Sequence, residues 1–418
     1  MKLLINLCGH DGIISHYAGV GTIVKRYIEV IRKILDDKKI DYHLNLFTLE
    51  FNKDSMGYNK KLEDYHKSLD KTSLYILSNG SNGETSFGSI DNWYKASINT
   101  AKIINNFDFN EYDYVINLCN DTPYSYLVKL IKKNNNCITA WIPHSTGLIY
   151  DEDMSLSNDN QNNSARVKLE KDVINYINSN YNTYCISTGI YIKNHLINKY
   201  GLKNNINIIN GELLYRDNLY IENDRMKELF NQINKNDSII LAFGRAEKYK
   251  NLDKTFLLGN KLNIKPIVIT RKYFDGQPII FEYEKLAKEN NGLLLVDEPF
   301  SLPQYIVKNY NKNMILLVPS KRETFGLIIN EIRRFNKDNV LIVVNNEGGL
   351  PEQIKDTYDG LIVNLDNIEE SANKIKKFFE KKYIRSMNKN SQLRLQNDYD
   401  LEQNFYNFFK KVLGDNFE

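Results

Sequence analysis

The 418-residue sequence predicts an α/β protein built on two doubly wound parallel sheets. Short apolar runs alternate with longer amphipathic runs along almost the whole chain, which is the pattern of strand–helix repeats. Several short runs are apolar throughout, as expected for central strands that are covered on both faces. The alternation stops at a polar stretch after Asn210 and starts again at Ser238, so we expect two sheets in two domains.

The predicted elements fall into two series. The strand-like runs of the first series are 2–8, 42–47, 114–118, 137–142, 184–186 and 206–209. Those of the second series are 239–243, 266–269, 293–296, 314–318, 341–344 and 360–363. Helical periodicity is clearest at 21–35, 92–105, 165–178, 250–263, 326–335 and 371–381. The polar segments 79–86 and 151–164 are predicted to be loops, and the polar stretch 211–237 is expected to contain the domain boundary.

We therefore predict three parts of the chain. Residues 1–215 form a first doubly wound domain and residues 216–396 form a second. Residues 397–418 form one amphipathic helix, whose apolar residues are Leu401, Phe405, Phe408, Phe409 and Val412.

Composition excludes several classes of protein. The chain has 55 Lys+Arg against 52 Asp+Glu, a net charge of +3, which gives no electrostatic reason to expect a nucleic-acid partner. Its four cysteines include no C-x-x-C pair, so we expect buried thiols in a reducing compartment; they are Cys8, Cys119, Cys137 and Cys185. The apolar N-terminal run is too short for a signal peptide, and no run reaches the ~18 residues of a spanning helix. We expect a cytoplasmic protein without a transmembrane segment.

The most informative segment is 318–331. A strand ends before Pro319, and a polar loop with Glu323 leads into a helix that opens near Gly326 and contains Glu331. A glycine at a helix N-terminus lets an anionic phosphate approach free N–H groups, and a carboxylate within the helix can accept two ribose hydroxyls. The alternative is a capped helix with two surface glutamates.

A second segment, 242–251, places cations at the end of a strand. The strand ends in Gly244, so Arg245 emerges at the carboxyl edge of the sheet and Lys250 opens the next helix. Together they could hold a diphosphate. Two solvated charges at a helix start are at least as good an interpretation of this segment alone.

The N-terminal half offers weaker signals. A loop at 8–21 carries four glycines, including Gly19 and Gly21, and suits the close approach of a phosphate or sugar, although a turn without ligand is equally compatible. His144 follows a strand end, where a functional role competes with a structural one. His10 and His16 are expected to face solvent, and the other three histidines have no partner pattern. A metal site is poorly supported, because the Asp pairs at 151–153 and 398–400 lie in a polar loop and before the last helix, and neither follows a buried strand. The sequence contains no G-x-S-x-G elbow.

Taken in order, these motifs resemble the retaining GT-B glycosyltransferases of family four, which use nucleotide-diphosphate sugars. The set runs from the glycine-rich loop through His144, Asn210-Gly211, Gly244-Arg245 with Lys250, and Glu323-x(7)-Glu331 to Gly348-Gly349-Leu350-Pro351-Glu352. It covers nearly the whole chain. The resemblance implies two Rossmann-like domains that face a central cleft, the first binding the acceptor and the second the nucleotide sugar, with the last helix returning to the first domain.

The resemblance also implies residue roles. Arg245 and Lys250 would hold the donor diphosphate, Glu331 the ribose and Glu323 the sugar hydroxyls. The remaining donor contacts would come from Gly19, Gly21, Gly244, Phe325, Gly326 and Leu327. Catalysis would rest on Arg245, Lys250, Glu323 and His144. Three departures from the family pattern are the loop Ala18–Gly21, Asn251 in place of a common glycine, and Ile332-Arg333 in place of small residues after Glu331.

The implied activity is transfer of a hexose from a UDP-sugar with retained configuration, without a metal or other cofactor. The acceptor is unidentified and could be a small molecule, a glycan, a lipid-linked sugar or a protein. We expect the acceptor loops at 10–20, 79–92 and 145–165. Two alternatives stay open, a nucleotide-sugar epimerase of the same fold and a binding module without turnover.

Overall fold

The computed structural model describes residues 1–16, 18–54, 57–78, 89–151, 160–215, 222–336 and 338–417. The chain divides into two compact units. Unit 1 comprises Met1–Leu213 and Leu401–Glu418, and unit 2 comprises Leu214–Asp400. The divisions thus follow residues 213 and 400, whereas the sequence predicted them after residues 215 and 396.

Unit 1 contains a seven-stranded sheet in the order β3-β2-β1-β4-β5-β6-β7, and every pairing in it is parallel. Its strands are β1 Lys2–Cys8, β2 Asp41–Leu49, β3 Thr72–Leu77, β4 Tyr114–Asn120, β5 Cys137–Ile142, β6 Thr183–Ser187 and β7 Asn205–Asn207. The helices between them are α1 Gly19–Asp37, α2 Lys60–Ser68, α3 Ile90–Ile104, α4 Leu127–Leu130, α5 Gly147–Asp151, α6 Asn160–Asn178 and α7 Ile190–Tyr200. The sequence analysis missed β3, an edge strand with partly buried side chains, although its last four residues, 74–77, form an apolar run.

Three asparagines interrupt the apolar central strands of unit 1. Asn6 of β1 is the register partner of both Asn45 of β2 and Asn117 of β4. The Asn45 amide donates to the Asn6 oxygen at 2.9 Å, and the Asn6 amide donates to the Asn117 oxygen at 2.8 Å. A one-residue slip would separate these buried amides, so the row favours a single register.

Unit 2 contains a six-stranded parallel sheet in the order β10-β9-β8-β11-β12-β13. Its strands are β8 Ile239–Arg245, β9 Lys265–Arg271, β10 Leu293–Val296, β11 Met314–Val318, β12 Val340–Asn345 and β13 Leu361–Val363. Its helices are α8 Asp224–Ile233, α9 Asp253–Leu262, α10 Pro278–Glu289, α11 Leu302–Asn309, α12 Leu327–Phe335, α13 Leu350–Gln353, α14 Ile368–Phe378 and α15 Lys381–Asp398. Two sheets in an α/β architecture confirm the predicted fold class.

The polar stretch between the two series of strands, in which the sequence predicted no element, contains helix α8 of unit 2. In α8 only Met226, Leu229 and Ile233 are buried, and Asn223 caps the helix by accepting from the Met226 N–H at 2.9 Å. Three apolar residues on one face are enough to pack a short surface helix against the unit. Polar residues outnumber them in this part of the sequence, so the segment was described only as polar.

The last helix, α16 Leu401–Leu413, belongs to unit 1. Its residues Phe405, Phe408 and Phe409 are buried, and the Phe405 ring lies 4.8 Å from that of Tyr27 in α1. The Leu401 N–H donates to the carbonyl of Glu212 at 3.2 Å. The amphipathic pattern at the end of the chain therefore marks packing onto unit 1.

Two further expectations can be compared with the structure. All four cysteines are free and buried. Among the described helices, none combines the length and apolar character needed to cross a membrane.

Candidate functional site

The sheet of unit 2 has a switch point between β8 and β11. From β8 the strand order runs outward to β9 and β10, and from β11 it runs the opposite way to β12 and β13. Loops that leave the carboxyl ends of strands at such a point diverge and leave a crevice for a ligand. Of the sequence-predicted cations, Arg245 ends β8 and Lys250 lies in the turn after it, and the loop with Glu323 follows β11.

Arg245 is the last residue of β8, two residues beyond the predicted strand end, since its register continues to Arg271 of β9. Its guanidinium donates to the Tyr249 hydroxyl at 2.9 Å and lies 3.3 Å from a Glu247 carboxylate oxygen. The side chain is 38% exposed. These contacts hold the guanidinium at the carboxyl edge of the sheet while leaving part of it open to an anionic ligand.

The sequence suggested that Lys250 opens a helix, but in the structure it does not. It ends a short 3-10 turn, Lys248–Lys250, and α9 begins only at Asp253. Asn251 follows in the left-handed conformation, with φ 55°. The break directs the chain away from the regular helix path immediately after the lysine.

Lys250 and Glu323 form an ion pair between the Lys250 ammonium and a Glu323 carboxylate oxygen. Burial by itself raises the pKa of Glu323. The neighbouring Lys250, a hydrogen bond from Ser320 and the charge of Arg245 outweigh burial, so the pKa of Glu323 lies below its ordinary value. The carboxyl is therefore ionised at neutral pH. The sequence assigned these two side chains to different parts of a ligand, and the structure brings them into direct contact.

The Glu323 loop packs directly on the Gly348-Gly349 pair that follows β12. The Gly349 N–H donates to the Glu323 carbonyl at 2.7 Å. A Cβ on Gly349 would lie 2.2 Å from the carbonyl oxygen of Thr324, and Gly348 has a φ of 61°. The glycine pair is thus required by close backbone approach and by a left-handed turn.

The turn that precedes α12 is built around Gly326. This glycine has a φ of 82°, and a Cβ there would lie 2.7 Å from Leu350. The Gln353 amide donates to the carbonyls of Phe325 and Gly326, the latter at 3.0 Å. The Phe325 side chain is 3% exposed and packs against Tyr399. Phe325, predicted to bind the donor, can therefore offer only its backbone to a ligand.

Helix α12 begins at Leu327, and Glu331 lies half-buried just over one turn into it. No described side chain caps this N-terminus, so the amide groups of its first turn remain suited to an anion. The departure at Ile332-Arg333 has a structural explanation, because both side chains are fully buried. The Arg333 guanidinium pairs with the buried Asp359 carboxylate at 2.8 Å and donates to the Gln353 carbonyl.

In unit 1, titratable side chains gather where β1, β4 and β5 end. His144 follows β5; its Nε2 lies 3.3 Å from the Asn120 side-chain oxygen, and burial lowers its pKa to about 4. The imidazole is thus neutral at pH 7. His10 is fully buried 3.9 Å from Asp121, which corrects the expectation that it faces solvent. The sequence analysis did not name Asp121 as a candidate site residue. Asp121 has a φ of 59° and directly follows the apolar strand β4, at the same sheet edge as His144.

Of the four glycines in the N-terminal segment, Gly19 and Gly21 lie in the first turn of α1, and Gly9 and Gly12 lie in the loop before it. The Asp11 carboxylate accepts from the N–H groups of Gly12 and Ala18, at 2.9 and 3.0 Å. A Cβ on Gly21 would lie 2.4 Å from this carboxylate. The protein's own anion thus occupies the helix start where the sequence suggested a phosphate or sugar. Donor contacts by Gly19 and Gly21 stay predictions.

Gly244 shows no comparable crowding. A Cβ there would make an ordinary 3.6 Å contact with the Lys250 side chain. Within the described ranges, no group of three or more His, Cys, Asp or Glu side chains is arranged to hold a metal ion. Of the three predicted acceptor segments, residues 17, 79–88 and 152–159 lie outside the described residues.

Comparison with known proteins finds a family match within the second unit. Residues 225–394 match the family model described as glycosyl transferases group 1. Over 148 residues the chain is 32% identical to an uncharacterized 41.2 kDa protein in the cps region of Klebsiella pneumoniae. That alignment covers 35% of this chain and 37% of the length of that curated relative.

Solved structures resemble the chain over almost its whole length. Sucrose-phosphate synthase from Thermosynechococcus elongatus aligns with a TM-score of 0.71 at 15% identity, covering 98% of this chain and 99% of the other. A glycosyltransferase from Rickettsia africae aligns with a TM-score of 0.66 at 15% identity, covering 99% of each chain. HepE from Anabaena, in complex with UDP, aligns with a TM-score of 0.68 at 14% identity, covering 99% and 100%. These likenesses show that the chain has the GT-B fold.

Proposed function

We propose that this chain, whose residues 225–394 match the family model described as glycosyl transferases group 1, is a retaining hexosyltransferase. It would move a hexose from a UDP-sugar to an acceptor that is not yet identified, without a metal ion. The same fold in HepE has been solved with UDP-glucose, which supports a uridine nucleotide as the first donor to test.

One observation carries the proposal. Two cations, Arg245 and Lys250, and the uncapped start of α12 meet at the switch point of the unit 2 sheet. Each cation lies beside a carboxylate, Glu247 or Glu323, yet a diphosphate needs cations and free amides near it, whereas a neutral sugar does not. The arrangement therefore favours a nucleotide-sugar donor over a plain sugar ligand.

The chemistry would depend on stabilising the leaving group. As the bond from the anomeric carbon to the diphosphate oxygen breaks, negative charge grows on that oxygen, and Arg245 and Lys250 would stabilise it. The acceptor oxygen would attack the same face of the sugar, and its proton would pass to the departing phosphate. No described carboxylate stands out as a nucleophile for double displacement, so positioning and charge would supply most of the rate enhancement.

The remaining residues would orient the donor. Glu331 would bind the ribose hydroxyls, and the first amides of α12, at Gly326 and Leu327, would meet the distal phosphate. Glu323 would accept hydrogen bonds from sugar hydroxyls while holding Lys250. His144 belongs to unit 1 and is neutral because of its low pKa, so its predicted catalytic role would depend on hydrogen bonds rather than charge.

The test is incubation of the purified protein with a panel of nucleotide sugars, monitored by thermal shift and by release of nucleoside diphosphate. We expect a uridine sugar to raise the melting temperature and to be slowly hydrolysed in the absence of acceptor. Epimerisation without nucleotide release would instead favour an epimerase. Binding without any chemistry would favour a binding module, and no response to any nucleotide sugar would refute the proposal.

A further inference from the structure

Two loops of the candidate site are joined by three consecutive residues. The Tyr249 carbonyl accepts from the Lys321 N–H at 2.8 Å, and the next residue, Lys250, pairs with Glu323. The third residue, Asn251, donates from its side-chain amide to the Pro319 carbonyl at 3.1 Å. The loops after β8 and β11 are thereby held together on both sides of the ion pair.

Asn251 meets two requirements that few residues meet together. Its φ of 55° is in the left-handed region, which asparagine tolerates far better than most residues with a Cβ. Its side chain is also 6% exposed, so the amide donor is buried and its bond to Pro319 is shielded from water. Glycine would satisfy the backbone but could not make this bond, and aspartate would supply an acceptor where a donor is needed.

We propose that Asn251 is a positioning residue that fixes the Lys250 ammonium against the Glu323 loop. This inference rests on the proposed function, in which Lys250 stabilises the leaving diphosphate. Asn251 acts through its neighbour: it sets the backbone path that leaves Lys250 and ties that path to the strand end at Pro319. A loose tie would let the ammonium move relative to the diphosphate, and a small displacement is costly to catalysis that depends on preorganised charge.

The chain offers a matched control in Asn263. It has the same residue type in nearly the same conformation, with φ 57°, but it is exposed at the C-terminal end of α9. Asn251→Gly and Asn263→Gly therefore relieve the same backbone restriction. Only the first removes a buried bond between the two loops. Asn251→Asp is a second test variant, since it removes the hydrogen-bond donor of the side chain without adding the backbone flexibility of glycine.

The experiment compares these variants in two measurements. In hydrogen exchange, we expect faster exchange across residues 319–326 in Asn251→Gly and Asn251→Asp than in wild type and Asn263→Gly. In hydrolysis of UDP-glucose, used as the probe donor, we expect kcat to fall about three- to tenfold for both Asn251 variants. The KM for the donor should change by less than about twofold, because the misplaced charge acts mainly in the transition state.

The outcomes separate this inference from the proposed function. Exchange and kcat in Asn251→Gly that equal those of Asn263→Gly would overturn it. Faster exchange with an unchanged kcat would also overturn it, by showing a structural role only. A wild-type protein that does not hydrolyse any nucleotide sugar would refute the proposed function, and the exchange comparison would then decide alone whether Asn251 joins the loops.

Discussion

Replacing Lys250 with methionine tests the electrostatic core of the proposed mechanism. The substitution keeps most of the side-chain volume but removes the ammonium that pairs with Glu323. Loss of one preorganised donor to a developing oxyanion typically costs about 2.7–4 kcal/mol, or about 100- to 1000-fold in kcat. We expect a decrease of that size in donor hydrolysis.

The same variant should change stability far less than activity. Its partner, Glu323, is 21% exposed, so water compensates for part of the lost pairing. We expect the free energy of unfolding at pH 7 to fall by about 1–2 kcal/mol. In wild type the pKa of Glu323 lies below its ordinary value of 4.5, so the pair contributes fully above that pH. The contribution is lost as pH falls through the lower folded pKa.

The assays are steady-state hydrolysis of the donor and denaturant unfolding at pH values from about 3 to about 7. This range covers the titration of an ordinary carboxyl group. Lys248→Met is the matched control, because Lys248 is exposed in the same turn. In the Lys250 variant, burial remains while the main compensating charge is gone, so the pKa of Glu323 should rise. Wild-type kcat in Lys250→Met, or an equal loss in Lys248→Met, would refute the reasoning.

Three other predictions follow from the site and its support. Glu331→Gln should raise the donor KM and weaken nucleoside diphosphate binding about tenfold, whereas Glu323→Gln should mainly lower kcat. Calorimetric titration of the nucleoside diphosphate, together with donor kinetics, distinguishes the two effects. Equal losses of affinity in both variants would contradict the assignment. Gly349→Ala should destabilise unit 2 by about 1–3 kcal/mol, because its Cβ would overlap a carbonyl oxygen at 2.2 Å; Gly244→Ala, with an ordinary 3.6 Å contact, should cost much less in the same unfolding measurement. Arg333→Met should lower the free energy of unfolding by about 3–5 kcal/mol, since it leaves a buried carboxylate short of a partner, and a change below about 1 kcal/mol would show that the network adds little.

Local sequence patterns were sufficient for the fold class and for the strands that lie inside each sheet. The runs at 2–8, 137–142 and 314–318 match β1, β5 and β11 to the residue, and these strands are almost wholly buried. The run at 293–296 matches the edge strand β10, which is only partly buried but is apolar throughout. The edge strand β3 was missed although it ends in four apolar residues, and the surface helix α8 was missed because only three of its residues are buried.

The candidate site was predicted in part. Carboxyl ends of parallel strands meet at one edge, so the sequence could place Arg245, Lys250 and Glu323 near one another in unit 2. It could not show that Lys250 and Glu323 are paired, because ion pairing depends on side-chain paths across 73 positions of sequence. The roles of all predicted site residues stay predictions until variants are measured.

Asn251, which stands where related sequences commonly have a glycine, shows what the sequence determines and what the tertiary structure determines. By itself the sequence determined that a polar residue with tolerance for left-handed backbone follows Lys250, and that glycines recur at 348 and 349. Only the tertiary structure decided why: the Asn251 amide reaches the Pro319 carbonyl, and the glycine pair lies under the Glu323 loop. Periodicity and propensity act over a few neighbouring residues. The contacts of Asn251 and of the glycine pair join segments that are distant in sequence and that come within hydrogen-bond distance only when the sheet has formed.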